Sequence, residues 1–550
     1  MDSFCTHEVE NQPEPLSDYN LYDTDTALRD AVQRDGAGEH AARLSRRGAQ
    51  LGTVAMFALG EQANAQPPRL DTHDEQGRRI DRIRLAPAWH TLMHDMAGQG
   101  LHGPAWIDPR PGAQVARAAA FLMQGQVEAG SLCPVTMTYG SLAVLRDEPA
   151  GQIDYGGTWL PRLLAARHDP ADAPIEAKQG GLIGMGLTEK QGGSDVRANT
   201  TQARPLDGGG QGQAYLLRGH KWFFSVPQSD AHLVLAQAPD GPSCFFLPRW
   251  LPDGTRNRIR LQRLKDKLGN RSNASAEVEF DDAWGVMVGE PGHGIATLIR
   301  VASLTRLDCA LGSAALLRQG LVRALHHASQ RRAFGKTLLD HPAMRAVLCD
   351  LALESEAATV LSLRLARAVE RANDPAEQAL ARLGTPAAKL WICKRTIAAL
   401  AECLEVLGGN GYVETSMLPR LYREAPVNAI WEGAGNVMAL DVLRALQRHP
   451  LALAALMDEL APARGQMPAY DQALAGLESL LAAASESQAR RLAARLACLW
   501  QAALLIRHAP NWLAQAFVAS RLGMDGGLIG ALPEGGCDVR LLRRAWPPIC

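Results

Sequence analysis

The sequence predicts a mainly helical protein built around a central β-barrel domain, with a further helical domain towards its C-terminal end. Three observations carry that expectation. The chain has 550 residues, about three to four times the usual size of one domain, so several packed cores are required. Near Gly180 the Ala-rich texture gives way to short β-rich runs separated by turn residues. After Gly294 the helical texture returns and holds.

Taken in order, residues 27–146 read as an all-helical stretch, with Pro and Gly gathered at breaks such as Gln66-Pro67-Pro68 and Gly98-Gln99-Gly100. Runs at 215–217, 221–226, 231–236, 244–247, 258–261 and 276–280 have the spacing of an antiparallel sheet or barrel. Residues 297–330 contain no proline, and Met344, Val347, Leu348 and Leu351 repeat at i, i+3, i+4, i+7, the period of a helix with one buried face. Pro342 and Pro386 are expected at helix starts, where a missing N–H is harmless. Long helices joined by short turns suggest a bundle. A break at His449-Pro450 opens a last Ala- and Leu-rich segment. The expected domains are 1–180 (helical), 181–293 (β-barrel), 294–447 (helical bundle) and 448–550 (C-terminal helical).

Composition narrows the function. Hydrophobic residues at 47% and charged residues at 21% exclude a disordered or fibrous chain. Lys plus Arg number 57 against 58 Asp plus Glu, so nucleic-acid affinity has to come from a local patch and not from net charge. The 10 cysteines include no Cys-x-x-Cys pair, which argues against a disulfide framework and a zinc cage and fits a reducing cytoplasm. The acidic, proline-bearing start lacks a secretion signal, and the apolar run 496–506 is too short for a membrane span; a cytoplasmic protein without a membrane partner is expected.

The first chemical signal is the glycine-rich stretch from Gly184 to Asp195, Gly-Met-Gly-Leu-Thr-Glu-Lys-Gln-Gly-Gly-Ser-Asp. It is neither a Rossmann fingerprint nor a Walker loop, and by itself a structural turn explains it as well as a binding loop does. Downstream follow Gly219-His-Lys-Trp-Phe-Phe-Ser225, the stretch from Lys267 to Phe280, Gly289-Glu-Pro-Gly-His-Gly294, Arg331-Arg-Ala-Phe-Gly335, Glu405-Val-Leu-Gly-Gly-Asn-Gly-Tyr412 and Ile430-Trp-Glu-Gly-Ala-Gly-Asn436. This ordered series resembles the acyl-CoA dehydrogenase flavoprotein superfamily over about residues 130 to 446. The wording of the runs beginning at Met185, His220, Leu264 and Leu421, and the earlier Asn11-Gln-Pro, Asn20-Leu-Tyr and Gly130-Ser-Leu-Cys-Pro134, is similar to the AidB branch, induced by DNA alkylation. Metabolic members have Thr-Glu-Pro in the first loop; here Lys190 takes the proline position. The resemblance fades after about Arg448.

The resemblance implies a bound FAD. A flavin needs hydrogen-bond donors at its ring and pyrophosphate and an apolar wall against one face. It implies Thr188 as the hydroxyl near the ring, with Met185 and Leu187 on the same stretch, and Ser194 beside Gly192 and Gly193 at the pyrophosphate. Phe223 stands where the family places an aromatic wall and Ser225 at its usual Thr or Ser; of Phe223 and Phe224, one is also expected to be a core face of the same strand. Arg331, Phe334, Gly408 and Gly409 resemble the positions that hold the ADP half, partly across subunits, which implies a homotetramer. Ile430, Trp431, Gly433 and Asn436 frame Glu432, implied as the general base that removes the α-proton of an acyl-CoA thioester while hydride passes from the β-carbon to the flavin; the bland reading is an exposed Glu before a Gly turn. Some relatives carry the base on the earlier helix beside the arginine matching Arg306, where this chain has Thr305. The AidB branch implies sluggish dehydrogenase activity; a metabolic acyl-CoA dehydrogenase and a DNA-binding scaffold with structural FAD are the alternatives.

Three other features carry less. His90 and His94 share an i, i+4 spacing but lack the Glu of a zinc protease motif, so no metal is expected. His326-His327 reads as a border of the Arg331 loop, and Cys133 as a core thiol. Between Arg448 and Cys550 there are ten arginines, no lysine and eight carboxylates. Arg490, Arg491 and Arg495 cluster on one stretch, Arg507 follows, and Arg540, Arg543 and Arg544 crowd the C-terminus. Arginine grips phosphate through its planar fork, and the resemblance implies that this segment binds double-stranded DNA; the clustering puts Arg490, Arg491 and Arg495 forward as the contacts, and a solvated helix face opposite Leu492, Leu496 and Leu499 is the plain alternative.

Overall fold

The computed structural model describes residues 6–106, 109–149, 151–523, 527–533 and 535–548. Cys5 and Cys550 lie outside them. Helices α1 (Thr26–Arg34), α2 (Ala41–Leu51) and α3 (Val54–Ala65) are followed by a hairpin, β1 (Arg69–His73) and β2 (Arg79–Arg84). That hairpin corrects the all-helical expectation for residues 27–146. Its turn bends through Gly77 at φ +79°, with Asp74 Oδ1 accepting from the backbone of Gln76 and Arg78, and the strands pair from Arg69 with Arg84. Helices α4 (Pro87–Gly98), α5 (Ala113–Val127), α6 (Leu132–Leu145) and the one-turn α7 (Leu160–Leu163) lead to the barrel strands.

Those strands are β3 (Ile183–Gly186), β4 (Gln202–Pro205), β5 (Ala214–Ser225), β6 (Ala231–Ala238), β7 (Gly241–Pro248), β8 (Ile259–Leu264) and β9 (Ser275–Val288). The two expected runs before Val226 are thus one long strand. β5 pairs with β9, β9 with β7, β7 with β6, and β6 with β3 and β4, which both return to β5. The ring closes with β3 and β4 sharing one of its five positions, and β8 is added on β9. Closure leaves few unpaired edges. The strands alternate between two cores: Val234, Ala236, Phe245 and Leu247 fill the barrel interior, while Leu233, Leu235, Cys244 and Phe246 pack outward with Met137, Leu142 and Val301 of the helices. Burial on both faces explains why β6 and β7 read as continuous apolar runs.

The second half is helical: α8 (Gly294–Gln330), a short hairpin β10 (Arg332–Ala333) with β11 (Lys336–Thr337), α9 (Pro342–Glu370), α10 (Pro375–Val406), the one-turn α11 (Gly409–Tyr412), α12 (Leu418–Asn428), α13 (Gly435–Arg448), α14 (Pro450–Leu460), α15 (Pro468–Ala482), α16 (Ala489–His508), α17 (Asn511–Arg521) and α18 (Val539–Ala545). Pro342 starts α9 as expected, but Pro386 lies inside α10. A proline there forfeits one i→i−4 bond; packing of α10 against α9, α12, α14 and α16 outweighs the loss, with Gly384 lying so close to the Trp500 ring that a Cβ would meet it at 2.4 Å.

The chain divides into two compact units. One holds residues 1–54, 310–429 and 438–550, and the other 55–309 with the short return 430–437. The second therefore contains the barrel, the first turns of α8 and the Trp431-Glu432 stretch. Among the described residues no helix is long and apolar enough to cross a membrane.

Candidate functional site

In the barrel unit the glycine-rich stretch divides into a strand and a loop. β3 lies between β5 and β6, and a Cβ on Gly186 would meet Phe224 Cδ2 at 2.3 Å, one on Gly184 the His232 ring and the Ser225 carbonyl at 2.5 Å. These two glycines serve close backbone approach. Met185 is buried and in register with Ser225; Leu187 packs on the outer core. The loop beyond is pinned from beneath. Glu189 is buried, accepts from Lys221 Nζ at 2.6 Å and Thr201 Oγ1 at 2.6 Å, and also receives the Thr200 backbone N–H at 2.7 Å. Burial alone would raise this carboxyl, but Lys221 and the threonine hydrogen bonds bring it down to about 2. Trp222 N donates to Thr188 O at 2.8 Å, and Lys190 N to His220 Nε2 at 3.0 Å. A proline at position 190 could not make that second bond, so the departure from Thr-Glu-Pro comes with its own partner.

Above this anchor the loop presents donors. The backbone N–H groups of Gly193, Ser194 and Asp195 find no acceptor among the described residues, and Ser194 is exposed. Gly193 lies against the Thr188 side chain, where a Cβ would approach Oγ1 to 2.5 Å, while Gly192 has open space around it. Consecutive unpaired N–H groups form a concavity suited to an anion. On β5, Phe224 is fully buried and stacks on His232 with centroids 4.2 Å apart, whereas Phe223 is 46% exposed. The strand's period of two decides between them: Phe224 is the core face, and Phe223 is the aromatic surface on the outside. Ser225 follows, half-buried.

Residues 430–437 belong to this unit as well. Trp431 packs on the outer core, Ile430 is 63% exposed, and Gly433 takes φ +108°; Asn436 is exposed in the first turn of α13. Glu432 itself has φ +57°, a left-handed conformation that costs a non-glycine residue roughly 1–2 kcal/mol. Two residues of α8 hold it: Arg306 Nε donates to the Glu432 carbonyl at 2.8 Å, and Thr305 Oγ1 donates to Oε2 at 2.7 Å. The other carboxylate oxygen, Oε1, has no partner among the described residues, which leaves one oxygen fixed and one able to accept a proton. Thr305, Glu189, Lys221 and His220 were not singled out from sequence for these tasks. A buried Glu and Lys inside otherwise loop- and strand-like motifs were the available signal for one pair; nothing local signals a contact between residues 127 positions apart.

Arg331, Phe334, Gly408 and Gly409 lie in the other unit. Phe334 has φ +48° and is 94% exposed at the tip of the β10–β11 hairpin, and Arg331 donates to the Asn11 carbonyl. Gly408 takes φ +59°, and neither Gly408 nor Gly409 has a neighbour within 4 Å of a built Cβ. In the same unit, Arg490 and Arg491 are exposed on the first turn of α16 and Arg495 is half-buried one turn on. Arg544 and Arg540 differ: Arg544 is paired with Glu356 and Asp30, and Arg540 with Asp538. His90 finds His168 at 3.0 Å, His326 Nε2 donates to the Glu14 carbonyl at 2.7 Å, and Cys133 is buried.

Comparison with known proteins agrees with this architecture. Residues 11–170 match the adaptive response protein AidB N-terminal domain, 184–283 the acyl-CoA dehydrogenase middle domain and 292–447 the acyl-CoA dehydrogenase C-terminal domain. The Escherichia coli (strain K12) protein named "Putative acyl-CoA dehydrogenase AidB" is 50% identical over 525 residues, covering 95% of this chain and 96% of that protein. A match of that length reaches into the last hundred residues, correcting the expectation that the likeness fades after Arg448. Acyl-CoA dehydrogenase family member 11 of Caenorhabditis elegans is 30% identical over 88% of this chain and 83% of its own. The solved structure of Caenorhabditis elegans ACDH-11 in complex with C11-CoA superposes with a TM-score of 0.83 at 26% identity, covering 98% of this chain and 93% of that one. The chain belongs to the acyl-CoA dehydrogenase family, in its AidB branch.

Proposed function

We propose that this protein serves the alkylation-damage response as a cytoplasmic AidB-like flavoprotein that binds double-stranded DNA and retains an acyl-CoA dehydrogenase-type site of weak activity. FAD is its cofactor, and the donor set of the barrel unit suits that group: unpaired N–H groups at 193–195, the Thr188 hydroxyl and the exposed Phe223. Bound there, FAD supplies the acceptor for a hydride from the β-carbon of an acyl thioester. The chain's own task is the proton. The observation that carries this reading is the left-handed Glu432, held by Arg306 at its carbonyl and by Thr305 at Oε2. Backbone strain kept in place by two side chains is a mark of a working residue, and Oε1 is the atom that takes the α-proton. Acyl-CoA thioesters as ligands are supported by the C11-CoA in the Caenorhabditis elegans relative. Assembly as a homotetramer is supported by the exposed Phe334 and Tyr412 beside the Arg331 and Gly408 motifs, apolar surface of the kind a neighbouring subunit covers.

DNA binding is assigned to Arg490, Arg491 and Arg495. The exposed Arg491 in the first turn of α16 opposes the helix dipole, an arrangement that favours an anion there. The test is an anaerobic titration with a panel of acyl-CoAs, watching flavin bleaching, run beside a DNA shift assay at several salt concentrations. Phosphate-led binding gives a log-log slope near −0.9 per phosphate neutralised, and changing Arg490, Arg491 and Arg495 together to Ala should flatten it without altering the flavin spectrum. An unchanged slope removes these arginines from the DNA surface. Rapid bleaching without DNA affinity would favour a metabolic dehydrogenase, and DNA affinity without bleaching a scaffold with structural FAD.

A further inference from the structure

Outside every motif used above, the fold brings two thiols together. Cys349 on α9 and Cys537 just before α18 place their sulfurs 3.3 Å apart across 188 residues of chain. Cys537 is exposed; Cys349 is buried, as are Cys133, Cys244, Cys309, Cys393, Cys403 and Cys498. The approach is held from both sides. Gly530 N donates to Asp350 Oδ2 at 2.8 Å, next to Cys349 in sequence. After Cys537, the Asp538 carbonyl lies 3.6 Å from Cys349 Sγ and the Asp538 side chain caps α18. α18 then buries Leu541 and Leu542 and joins Arg544 to Glu356 of α9. Three attachments along α9, at Asp350, Cys349 and Glu356, make this pairing a property of the fold and not of a loose end.

We infer that Cys349 and Cys537 form a redox-modifiable pair, in which a hydroperoxide oxidises Cys537 and Cys349 resolves the product as an intrachain disulfide joining α9 to the C-terminal segment. In the first step the Cys537 sulfur attacks the peroxide: an S–O bond forms, the O–O bond breaks, and water or an alcohol leaves with the thiol proton. In the second, Cys349 Sγ attacks the sulfenic sulfur, the S–S bond forms, the S–O bond breaks, and water leaves with the Cys349 proton. Two thiols lose two electrons and the hydroperoxide gains them. The order follows from access. Cys537 meets solvent, while burial pushes the Cys349 thiol up, with Arg345 acting weakly against it, so Cys349 is a poor first target. Proximity compensates in the second step: a disulfide needs about 2.05 Å between sulfurs, a further approach of roughly 1.3 Å that side-chain rotation can supply.

The full-length holoprotein is treated with a small excess of hydrogen peroxide, alkylated under denaturing conditions and digested with trypsin without reduction. The tryptic peptides 346–364 and 522–540 each contain a single cysteine. The expected result is that most of both appear as one cross-linked species, lighter than their sum by two hydrogens and separated by dithiothreitol. In Cys537→Ser, whose exposed site leaves the fold and flavin spectrum intact, the cross-link disappears and peptide 346–364 is recovered alkylated. Sulfinic acid on Cys537 with Cys349 still alkylatable, Cys349 linked to another cysteine, or both thiols intact at a dose that oxidises a control peptide thiol would each overturn the inference. The readout needs neither acyl-CoA turnover nor DNA.

Discussion

Glu189 in the barrel unit and Arg521 among the C-terminal helices are both buried ions, and they hold different kinds of structure. Glu189 joins Lys221 to the backbone of Thr200 and Thr201 and so pins a loop whose outer N–H groups stay unpaired. Arg521 joins α17 to Asp350 and Glu354 of α9, with Arg395 beside Glu354; it pins helices together. The same contrast separates exposed from buried members of one residue type. Arg491 is exposed on the first turn of α16, while Arg521 and Arg544 are turned to carboxylates. In the barrel unit ion pairing prepares a surface, whereas in the C-terminal helices most of it is spent on packing, so arginine content alone overstated the cationic surface available there.

The largest expected effect tests the first side of that contrast. Glu432→Gln keeps the carbonyl held by Arg306 and a side-chain oxygen for Thr305 but removes the basic oxygen. Acyl-CoA-dependent flavin reduction should fall by about 10² to 10⁴, read by stopped-flow absorbance, with FAD content unchanged. Equal rates would make Glu432 a structural residue like Glu189.

The second side is tested by stability. Arg521→Ala leaves Asp350 buried without a cationic partner, held only by the Gly530 N–H, and leaves Glu354 with Arg395. Removing one partner of such a cluster costs about 3–5 kcal/mol, visible as a lowered midpoint in urea. Arg491→Ala, on an exposed helix turn, should change stability by no more than about 0.5 kcal/mol. Similar losses for both would erase the distinction between packing and surface arginines.

The sequence carried the parts of the molecule where local pattern and tertiary role coincide. The barrel was legible because β6, β7 and β9 are long apolar runs, and the Glu432 stretch because Trp-Glu-Gly is dense in unusual residue types. β3 and β4 went unseen because each has four residues and β3 contains two glycines, which only the closeness of Phe224 and His232 makes necessary. Pro386 misled because a local helix-stop signal was overridden by four packed neighbours. The grip of Thr305 on Glu432 was out of reach for a different reason: a hydroxyl is compatible with almost any helix position, and only folding brings α8 to residue 432.

The smallest expected effect sharpens the reading of the pinned loop. His220 Nε2 accepts from Lys190 N, which requires the neutral ring with its proton on Nδ1. Burial lowers the His220 pKa from 6.5, with Lys190 and Lys221 adding and Glu189 opposing. A histidine whose folded pKa lies below its unfolded value binds its proton first in the unfolded or opened form, so the bond's contribution is intact above about 6.5 and declines as pH falls from there towards the folded value. Lys190→Pro deletes the donor and installs the residue of metabolic relatives, at a cost of about 0.5–1.5 kcal/mol for one hydrogen bond. Lys190→Ala keeps the N–H and removes only the side-chain charge. If the loop holds FAD, its Kd measured by flavin fluorescence should rise as pH falls from about 6.5 towards 5 in the unmodified protein and in Lys190→Ala, and that rise should be smaller in Lys190→Pro. An equal pH response in all three would separate His220 from the loop and leave the Glu189–Lys221 pair as its main anchor.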